Sequence, residues 1–299
     1  MKTFKKIALS LLIIFSGLLI GGYIYFECKF SPPANTLTVS GNSGNIPIKW
    51  SKDGENNYAA LLLPVRLKNI DKILYMQLDT GSPTTVFYQK ALESIHLKSI
   101  EDFTLDTMKV SASEFPTINY GKEMNFENPT TPFIIGTIGN DLLEKRIVIL
   151  DFKNKRCSFT DSINENGFSN FQFKKRKILI PAKIGNENLK LMYDSGTSGY
   201  ELITHKEQYE KYRIPKSKTK QEKGNSWGKI LTIYSSSTNQ KITLANTPLP
   251  ISQITYIEGV PEIQQKLMKF SGMKGMLGNK IFLNHSLILD SKREKFSIK

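Results

Sequence analysis

Cysteine and histidine are both scarce in this chain of 299 residues, which contains two cysteines and three histidines. Cys28 and Cys157 lie far apart, and spacing alone does not bring them together, so two free thiols are favoured over a disulfide. No histidine has a second candidate ligand three or four positions further on, which argues against a zinc site. The sequence therefore predicts neither a metal nor a cofactor.

Acidic residues are also in deficit, since 27 Asp and Glu stand against 41 Lys and Arg, a net charge of +14. Such a balance suits a nucleic-acid partner, an anionic membrane surface or an ordinary basic surface. The basic residues are spread along the chain, and the densest run, residues 174–177, is short. No helix-turn-helix, zinc-finger or RNA-binding signature accompanies it. We therefore predict an ordinary basic surface and no nucleic-acid partner.

Long hydrophobic runs are rare, and the most prominent is at the N-terminus. Residues 7–26 carry no charge and follow three lysines, and a helix of this length can cross a hydrocarbon core of about 30 Å. Bulky residues rather than a small-x-small site follow Gly22, so an uncleaved anchor is favoured over a cleaved signal peptide. Residues 1–28 are predicted to be a cytoplasmic tip and transmembrane anchor, with the rest extracytoplasmic, either periplasmic or at the cell surface.

The remainder reads as a folded, mostly β protein, because many short apolar runs rich in β-branched or aromatic residues alternate with turn residues. The runs are residues 61–65, 73–78, 147–152, 178–182, 189–193, 230–234 and 287–289. Helix signals are few, the better ones being residues 206–212 and 262–270. Residues 29–50 are rich in Ser, Pro, Asn and Gly and are predicted to form a flexible spacer.

The chain contains an internal repeat. Each copy has a proline, an Asp-hydroxyl-Gly-hydroxyl motif, an apolar-Gly-Asn segment and an apolar-apolar-Asp segment; these are Pro64 and residues 79–82, 138–140 and 149–151, then Pro181 and residues 194–197, 277–279 and 288–290. The interval from Gly139 to Asp151 equals that from Gly278 to Asp290, 12 positions. We expect two like lobes, residues 51–165 and 166–299, with an insertion in the second.

Each motif places an aspartate directly after an apolar strand. Asp79 is followed by Thr80, Gly81 and Ser82, and Asp194 by Ser195, Gly196 and Thr197. Glycine permits a tight turn and a close backbone approach, while hydroxyls and amides can donate hydrogen bonds to a carboxylate. Two such carboxylates brought together share a proton and titrate as a pair. That arrangement suits hydrolysis of a peptide bond by an activated water.

These motifs resemble those of the pepsin and retroviral-protease group of aspartic peptidases, whose hallmark is a hydrophobic-hydrophobic-D-[ST]-G-[STA] turn from each lobe. Residues 134–135 and 138–143, repeated at 275–278, resemble the strand that braces the active-site loop in that family. The resemblance covers nearly everything from about residue 51 to residue 299. The spacing of the first lobe is similar to that of the small retroviral proteases, which implies a compact, bacterial-type tandem form.

The resemblance implies a fold of two homologous β-rich lobes after one transmembrane helix, with Asp79 and Asp194 as the catalytic pair. It implies that the Thr80 and Ser195 hydroxyls interlock the two turns, and that Ser82 and Thr197 hydrogen-bond the outer carboxylate oxygens, with Gly81 and Gly196 completing the turns. A flap hairpin is expected near residues 103–108 in the first lobe, which lack the usual glycines.

In the second lobe, residues 224–228 resemble a flap tip, with Trp227 as the candidate substrate-covering aromatic. A plain glycine turn accounts for these residues equally well. Pro83, directly after the first motif, is unusual and stiffens the turn.

The predicted function is that of an aspartic endopeptidase acting on peptide or protein substrates. We expect a monomer, because both lobes lie in one chain, and membrane association through the N-terminal helix. One alternative is a catalytically silent peptide-binding or scaffolding protein of the cell envelope, which the weak flap signal of the first lobe keeps open. Another is a basic protein that binds membranes or nucleic acid, with strong salt dependence as its sign.

Overall fold

The computed structural model describes residues 2–123, 131–164, 166–226 and 228–299, and the chain forms two compact units, residues 1–35 and 36–299. The first unit contains helix α1, Lys2–Phe30. Within it, Leu11–Phe30 has a mean hydropathy of 1.8 and is long and apolar enough to cross a membrane. A signal sequence has the same properties, so anchor and signal are both compatible with this helix.

Strands dominate the second unit, and over the whole chain they account for 44% of residues against 19% in helices. The first half contains β1 Thr38–Ser40, β2 Ser43–Pro47, β3 Lys49–Asp53, β4 Asn56–Val65, β5 Leu74–Leu78, β6 Val86–Tyr88, α2 Gln89–Glu93, β7 Asp102–Leu105, β8 Met108–Ser111, β9 Thr117–Ile118, β10 Ile134–Ile138, α3 Asn140–Leu143, β11 Ile147–Asp151 and β12 Arg156–Thr160. The prediction of a mostly β fold is therefore confirmed.

The second half repeats this plan, with a longer hairpin over residues 220–237. It contains β13 Ser169–Asn170, β14 Gln172–Lys174, β15 Lys177–Ile184, β16 Glu187–Tyr193, a 3-10 turn Ser195–Thr197, β17 Leu202–Thr204, α4 Lys206–Tyr212, β18 Lys220–Ser226, β19 Lys229–Ser237, β20 Lys241–Leu244, β21 Thr247–Pro250, β22 Gln253–Glu258, α5 Glu262–Phe270, β23 Gly275–Leu277, a 3-10 turn Asn279–Phe282, β24 Ser286–Asp290 and β25 Lys295–Ile298. The two helices predicted at residues 206–212 and 262–270 coincide with α4 and α5.

The two lobes share one local arrangement around the Asp-containing motifs. In the first lobe β5 pairs in parallel with β10, which also pairs antiparallel with β6. In the second lobe β16 pairs in parallel with β23, which pairs antiparallel with β17. In both copies, the strand that leads into the motif pairs with the strand that precedes the later glycine of the repeat, Gly139 or Gly278. The internal repeat is a repeat of structure.

A six-stranded sheet, in the order β13-β25-β24-β11-β12-β2, joins the lobes. Its central pair, β11 and β24, is antiparallel, with Ile149 opposite Ile288. These two residues occupy equivalent positions in the two copies, so the pairing is symmetric about them. Hydrogen bonds between the lobes here are main-chain ladder bonds, and both strands are largely buried.

Alternating burial explains how the strands position the motifs. In β5, Leu74, Met76 and Leu78 are fully buried while the residues between them are partly exposed. In β16 burial extends over the last three residues, ending at the fully buried Tyr193. Each strand is anchored by these side chains in one core that runs through both lobes. The residue that follows each strand is therefore fixed in position.

The N-terminal part of the second unit differs from the predicted spacer over residues 29–50. Strand β1 pairs with β8, and β2 pairs with β12 at the edge of the sheet that joins the lobes, with Ile46 opposite Cys157. Ile46 is fully buried. A segment rich in Ser, Asn and Gly carries little strand signal, but ladder hydrogen bonds come from the backbone, and an edge strand needs few apolar side chains.

Candidate active site

Each lobe holds one aspartate at the end of a strand. The main-chain N–H of Asp79 donates to the carbonyl of Ile138 at 3.0 Å, and that of Asp194 donates to the carbonyl of Leu277 at 2.9 Å. These bonds continue the parallel pairing beyond the last strand residue. Both motifs therefore leave their sheets at equivalent points.

The structure brings the two carboxyl groups close enough for each to act on the pKa of the other. Asp79 is 8% exposed and Asp194 is 9% exposed. Each carboxyl also lies against the glycine of the opposite motif: a β-carbon at Gly81 would lie 2.7 Å from Oδ1 of Asp194, and one at Gly196 would lie 2.5 Å from Oδ1 of Asp79. No residue larger than glycine fits either position without moving a carboxyl.

Amide groups of each turn donate to the carboxyl of the same turn. The N–H groups of Gly81 and Ser82 donate to Oδ1 of Asp79 at 2.9 and 3.2 Å. The N–H of Gly196 donates to Oδ1 of Asp194 at 2.9 Å. Such bonds favour the ionised carboxylate and hold it in one orientation.

The hydroxyls of Ser82 and Thr197 do not bond the carboxylate oxygens, which corrects the role expected for them. The Ser82 hydroxyl donates to the carbonyl of Thr84 at 2.9 Å, and the Thr197 hydroxyl donates to the carbonyl of Asp194 at 2.8 Å. A tight turn brings main-chain carbonyls within reach of these short side chains, and those carbonyls compete for the hydroxyl proton. Their contribution is to hold the turns.

Thr80 and Ser195 interlock the two turns. The Thr80 N–H donates to Oγ of Ser195 at 2.9 Å, and the Ser195 N–H donates to Oγ1 of Thr80 at 2.8 Å. Each hydroxyl in turn donates across the interface, to the carbonyl of Tyr193 at 3.0 Å and to that of Leu78 at 2.8 Å. All four bonds are buried and join one lobe to the other. They fix the separation of the carboxyl groups.

Burial raises the pKa of both carboxyl groups. For Asp194, burial and then the nearby charge of Asp79 raise the pKa to about 8. For Asp79, burial raises the pKa, while the N–H groups of Gly81 and Ser82 oppose the rise. At neutral pH the pair therefore retains a proton that an exposed pair would have lost.

Comparison with known proteins places this arrangement in a fold. No protein-family model matches the sequence, and no curated protein matches it either. The crystal structure of an aspartic proteinase from Irpex lacteus superposes over 86% of this chain and 97% of its own, with a TM-score of 0.50 and 10% sequence identity. The chain has the two-lobed fold of a pepsin-like aspartic proteinase. At this identity the similarity is one of fold.

Two asparagines of the repeat, to which the sequence argument gave no role, brace the motifs of this pepsin-like fold. Nδ2 of Asn140 donates to the carbonyl of Thr80 at 2.5 Å, and Nδ2 of Asn279 donates to the carbonyl of Ser195 at 3.4 Å. Tyr193 donates its hydroxyl proton to Oδ1 of Asn279 at 2.6 Å. Both asparagines follow the glycine of the repeat, so their matched positions were a usable signal.

The expected flap of the first lobe falls on the hairpin of β7 and β8. Phe103, Leu105 and Met108 are fully buried, and the hairpin pairs with β1 as well. At its tip, Thr107 donates its hydroxyl proton to the carbonyl of Asn42 at 2.8 Å. This hairpin is therefore packed into the lobe along its length.

In the second lobe, residues 224–226 form the end of β18, next to the turn of the longer hairpin formed by β18 and β19. Trp227, the candidate flap residue, lies outside the described residues. Tyr200, three residues beyond the second motif, donates its hydroxyl proton to Glu222 of β18 at 3.0 Å. Lys220 of the same strand forms an ion pair with Glu55 of the first lobe at 3.1 Å. The hairpin therefore starts beside the second motif and contacts both lobes.

Proposed function

We propose that this protein is an aspartic endopeptidase in which Asp79 and Asp194 activate a water molecule between them. The observation that carries the proposal is a pair of buried carboxyl groups at equivalent turns of two lobes, each packed against the glycine of the opposite turn. The pepsin-like fold supports it. Peptide hydrolysis by such a pair calls on no metal, and among the described residues no group of three His, Cys, Asp or Glu side chains could hold one.

The proposed reaction uses the one proton that the pair holds. The ionised carboxylate removes a proton from the bound water as the water oxygen attacks the substrate carbonyl carbon. The protonated carboxyl donates its proton to the carbonyl oxygen, which becomes a hydroxyl. When the C–N bond breaks, the amine nitrogen takes a proton from the carboxyl that received one from water, and the tetrahedral hydroxyl returns its proton to the other carboxyl. The pair ends with one proton, as it began.

The proposal is tested by incubating the full-length protein in detergent with a mixed peptide library between about pH 3 and about pH 9. We expect internal cleavage, with a rate that falls as the pH rises through about 8, since the pair then loses the proton that it donates. A peptide with a secondary hydroxyl in place of the scissile carbonyl should inhibit the reaction, because it mimics the tetrahedral intermediate. Absence of cleavage across the whole range would contradict the proposal.

A second candidate function is peptide binding without hydrolysis. The packed hairpin of β7 and β8 favours it, because the segment in which the flap of the first lobe was expected is buried in the lobe. Binding of the hydroxyl-bearing peptide by a protein that cleaves nothing would support this function. Cleavage of the library excludes it.

We also propose that α1 is an uncleaved anchor in a compact, monomeric, bacterial-type enzyme, with its N-terminus cytoplasmic and residues 36–299 extracytoplasmic. The lysines before the apolar run support this orientation, because positive charges stay on the cytoplasmic side. The short interval from Asp79 to Gly139 supports the compact form. N-terminal sequencing of the membrane-bound protein tests the anchor: a mature start beyond α1 would mean a cleaved signal sequence.

A further inference from the structure

Arg176 is a buried arginine between the two lobes. Its side chain is 5% exposed, and no other Arg, Lys or His is buried among the residues whose exposure the structure describes. It lies in the two-residue turn between β14 and β15, where Lys174 pairs with Lys177. Both turn residues, Lys175 and Arg176, have positive φ angles of 50° and 54°, a conformation in which glycine or asparagine is favoured. An arginine is held there by contacts outside the turn.

Those contacts are with the first lobe, although the turn belongs to the second. Nη1 of Arg176 donates to the carbonyl of Pro83, the residue after the first motif, at 3.3 Å. Nε donates to Oε2 of Glu144, just after α3, at 3.2 Å. Asp141 of α3 is close enough for the guanidinium charge to act on its carboxyl. The guanidinium therefore joins the segment after the first motif to the end of α3.

The main chain of Arg176 takes part as well. Its carbonyl accepts a hydrogen bond from Nδ2 of Asn140 at 2.7 Å, and the same Nδ2 donates to the carbonyl of Thr80. In the second lobe the equivalent Asn279 donates instead to the hydroxyl of Ser198, within its own turn, at 2.5 Å. Asn140 thus links the first motif to a residue of the opposite lobe, whereas Asn279 links the second motif to residues of its own lobe.

We propose that Arg176 is a positioning residue for Asp79, holding the first motif from behind through Pro83 and Asn140. This inference rests on the proposed peptidase function, in which the orientation of Asp79 governs the reaction. Arg176 donates to the carbonyl of Pro83, the residue after Ser82. Gly81 and Ser82 supply the N–H groups that bind the Asp79 carboxyl. Loss of the hydrogen bond to the Pro83 carbonyl therefore gives the turn more freedom to move, which weakens the two N–H hydrogen bonds to Asp79.

The consequence for Asp79 has a definite sign. The N–H groups of Gly81 and Ser82 lower its pKa against the effect of burial, so weakening them raises the pKa further. Asp194 and Tyr88 are the other titratable groups that interact with Asp79. Arg176→Lys keeps the positive charge that faces Asp141 and Glu144, but a lysine cannot donate to Glu144 and Pro83 in the fixed fork of a guanidinium.

The experiment compares Arg176→Lys with Arg213→Lys. The second change is the matched control, because Arg213, at the C-terminal end of α4, forms an ion pair with Glu210 of that helix. For Arg176→Lys we expect kcat to fall about tenfold with KM within about twofold, since a small misplacement of a reacting group costs more in rate than in binding. The acid limb of kcat/KM should move to higher pH. Arg213→Lys should leave both kcat and the pH profile unchanged.

A second measurement is independent of cleavage. Titration of the carboxyl carbon of Asp79 by NMR, in folded protein labelled at aspartate, should show a higher pKa in Arg176→Lys than in wild type and in Arg213→Lys. An unchanged Asp79 pKa overturns the inference even if Arg176→Lys lowers the melting temperature. If the wild type cleaves nothing, the proposed function fails and the titration still decides the role of Arg176.

Discussion

Asp194→Asn is expected to lower kcat for peptide cleavage by about 10³-fold or more, because the reaction loses its shared proton and one of its two acid–base groups. Asp79→Asn should have a loss of similar size, since neither carboxyl can replace the other. An amide keeps the shape and hydrogen-bonding capacity of the side chain but cannot take a proton from water. Initial rates on one peptide from the library, measured with equal amounts of folded protein, give the comparison.

The melting temperature distinguishes a loss of catalysis in Asp194→Asn from a loss of folding. The pKa of Asp194 is raised to about 8 from 3.8, so the folded state keeps a proton that the unfolded chain releases between these values. A raised carboxyl pKa therefore lowers the stability of the folded state as the pH rises from about 4 to about 8. Asn does not titrate, so Asp194→Asn should melt at a higher temperature than wild type at pH 7. An inactive variant that is also less stable, or a variant that retains activity, contradicts the assignment.

Gly196→Ala is expected to lower kcat by about 10²-fold or more, because a displacement of about 1 Å at a reacting group costs that much in rate. The new β-carbon would lie 2.5 Å from Oδ1 of Asp79, well inside van der Waals contact, so the carboxyl of Asp79 has to move away from its partner. The interaction between the two carboxyl groups should then weaken. We expect the pKa of Asp194 to fall as the charge of Asp79 moves away.

Gly44→Ala is the matched control for this change. Gly44 lies in β2, and no atom would lie within 4 Å of a β-carbon there. The control should keep the activity of the wild type, measured on the same peptide as Gly196→Ala. Equal rates for Gly196→Ala and wild type would mean that the space between the two motifs is not needed for the reaction.

The fold could be predicted because the chain carries its main evidence twice. Two like lobes were indicated by the two motifs and by the equal intervals from Gly139 to Asp151 and from Gly278 to Asp290. In the structure, β5–β10 and β16–β23 are equivalent parallel pairs, one in each lobe. Short apolar runs rich in β-branched or aromatic residues and bounded by turn residues indicated several of the core strands, among them β4, β5 and β16.

What could not be predicted depends on contacts between distant segments. The run at residues 174–177 was interpreted as part of an ordinary surface, yet Arg176 is buried, because burial of one arginine in a basic run depends on carbonyls and carboxylates far away in sequence. The hydroxyls of Ser82 and Thr197 were assigned to carboxylates and bond main-chain carbonyls instead, since a few degrees of rotation decide between acceptors. Residues 38–40 and 43–47 form strands because β8 and β12 offer them edges with which to pair.

The symmetric pairing of Ile149 with Ile288 has a consequence for any attempt to divide the protein. Cutting the chain between the halves would leave β11 and β24 each with a row of bare amide and carbonyl groups along an apolar border. An exposed edge strand of this kind can pair with strands of other molecules, including a second copy of the same half. We therefore expect that neither half folds as an independent domain when it is separated from the other.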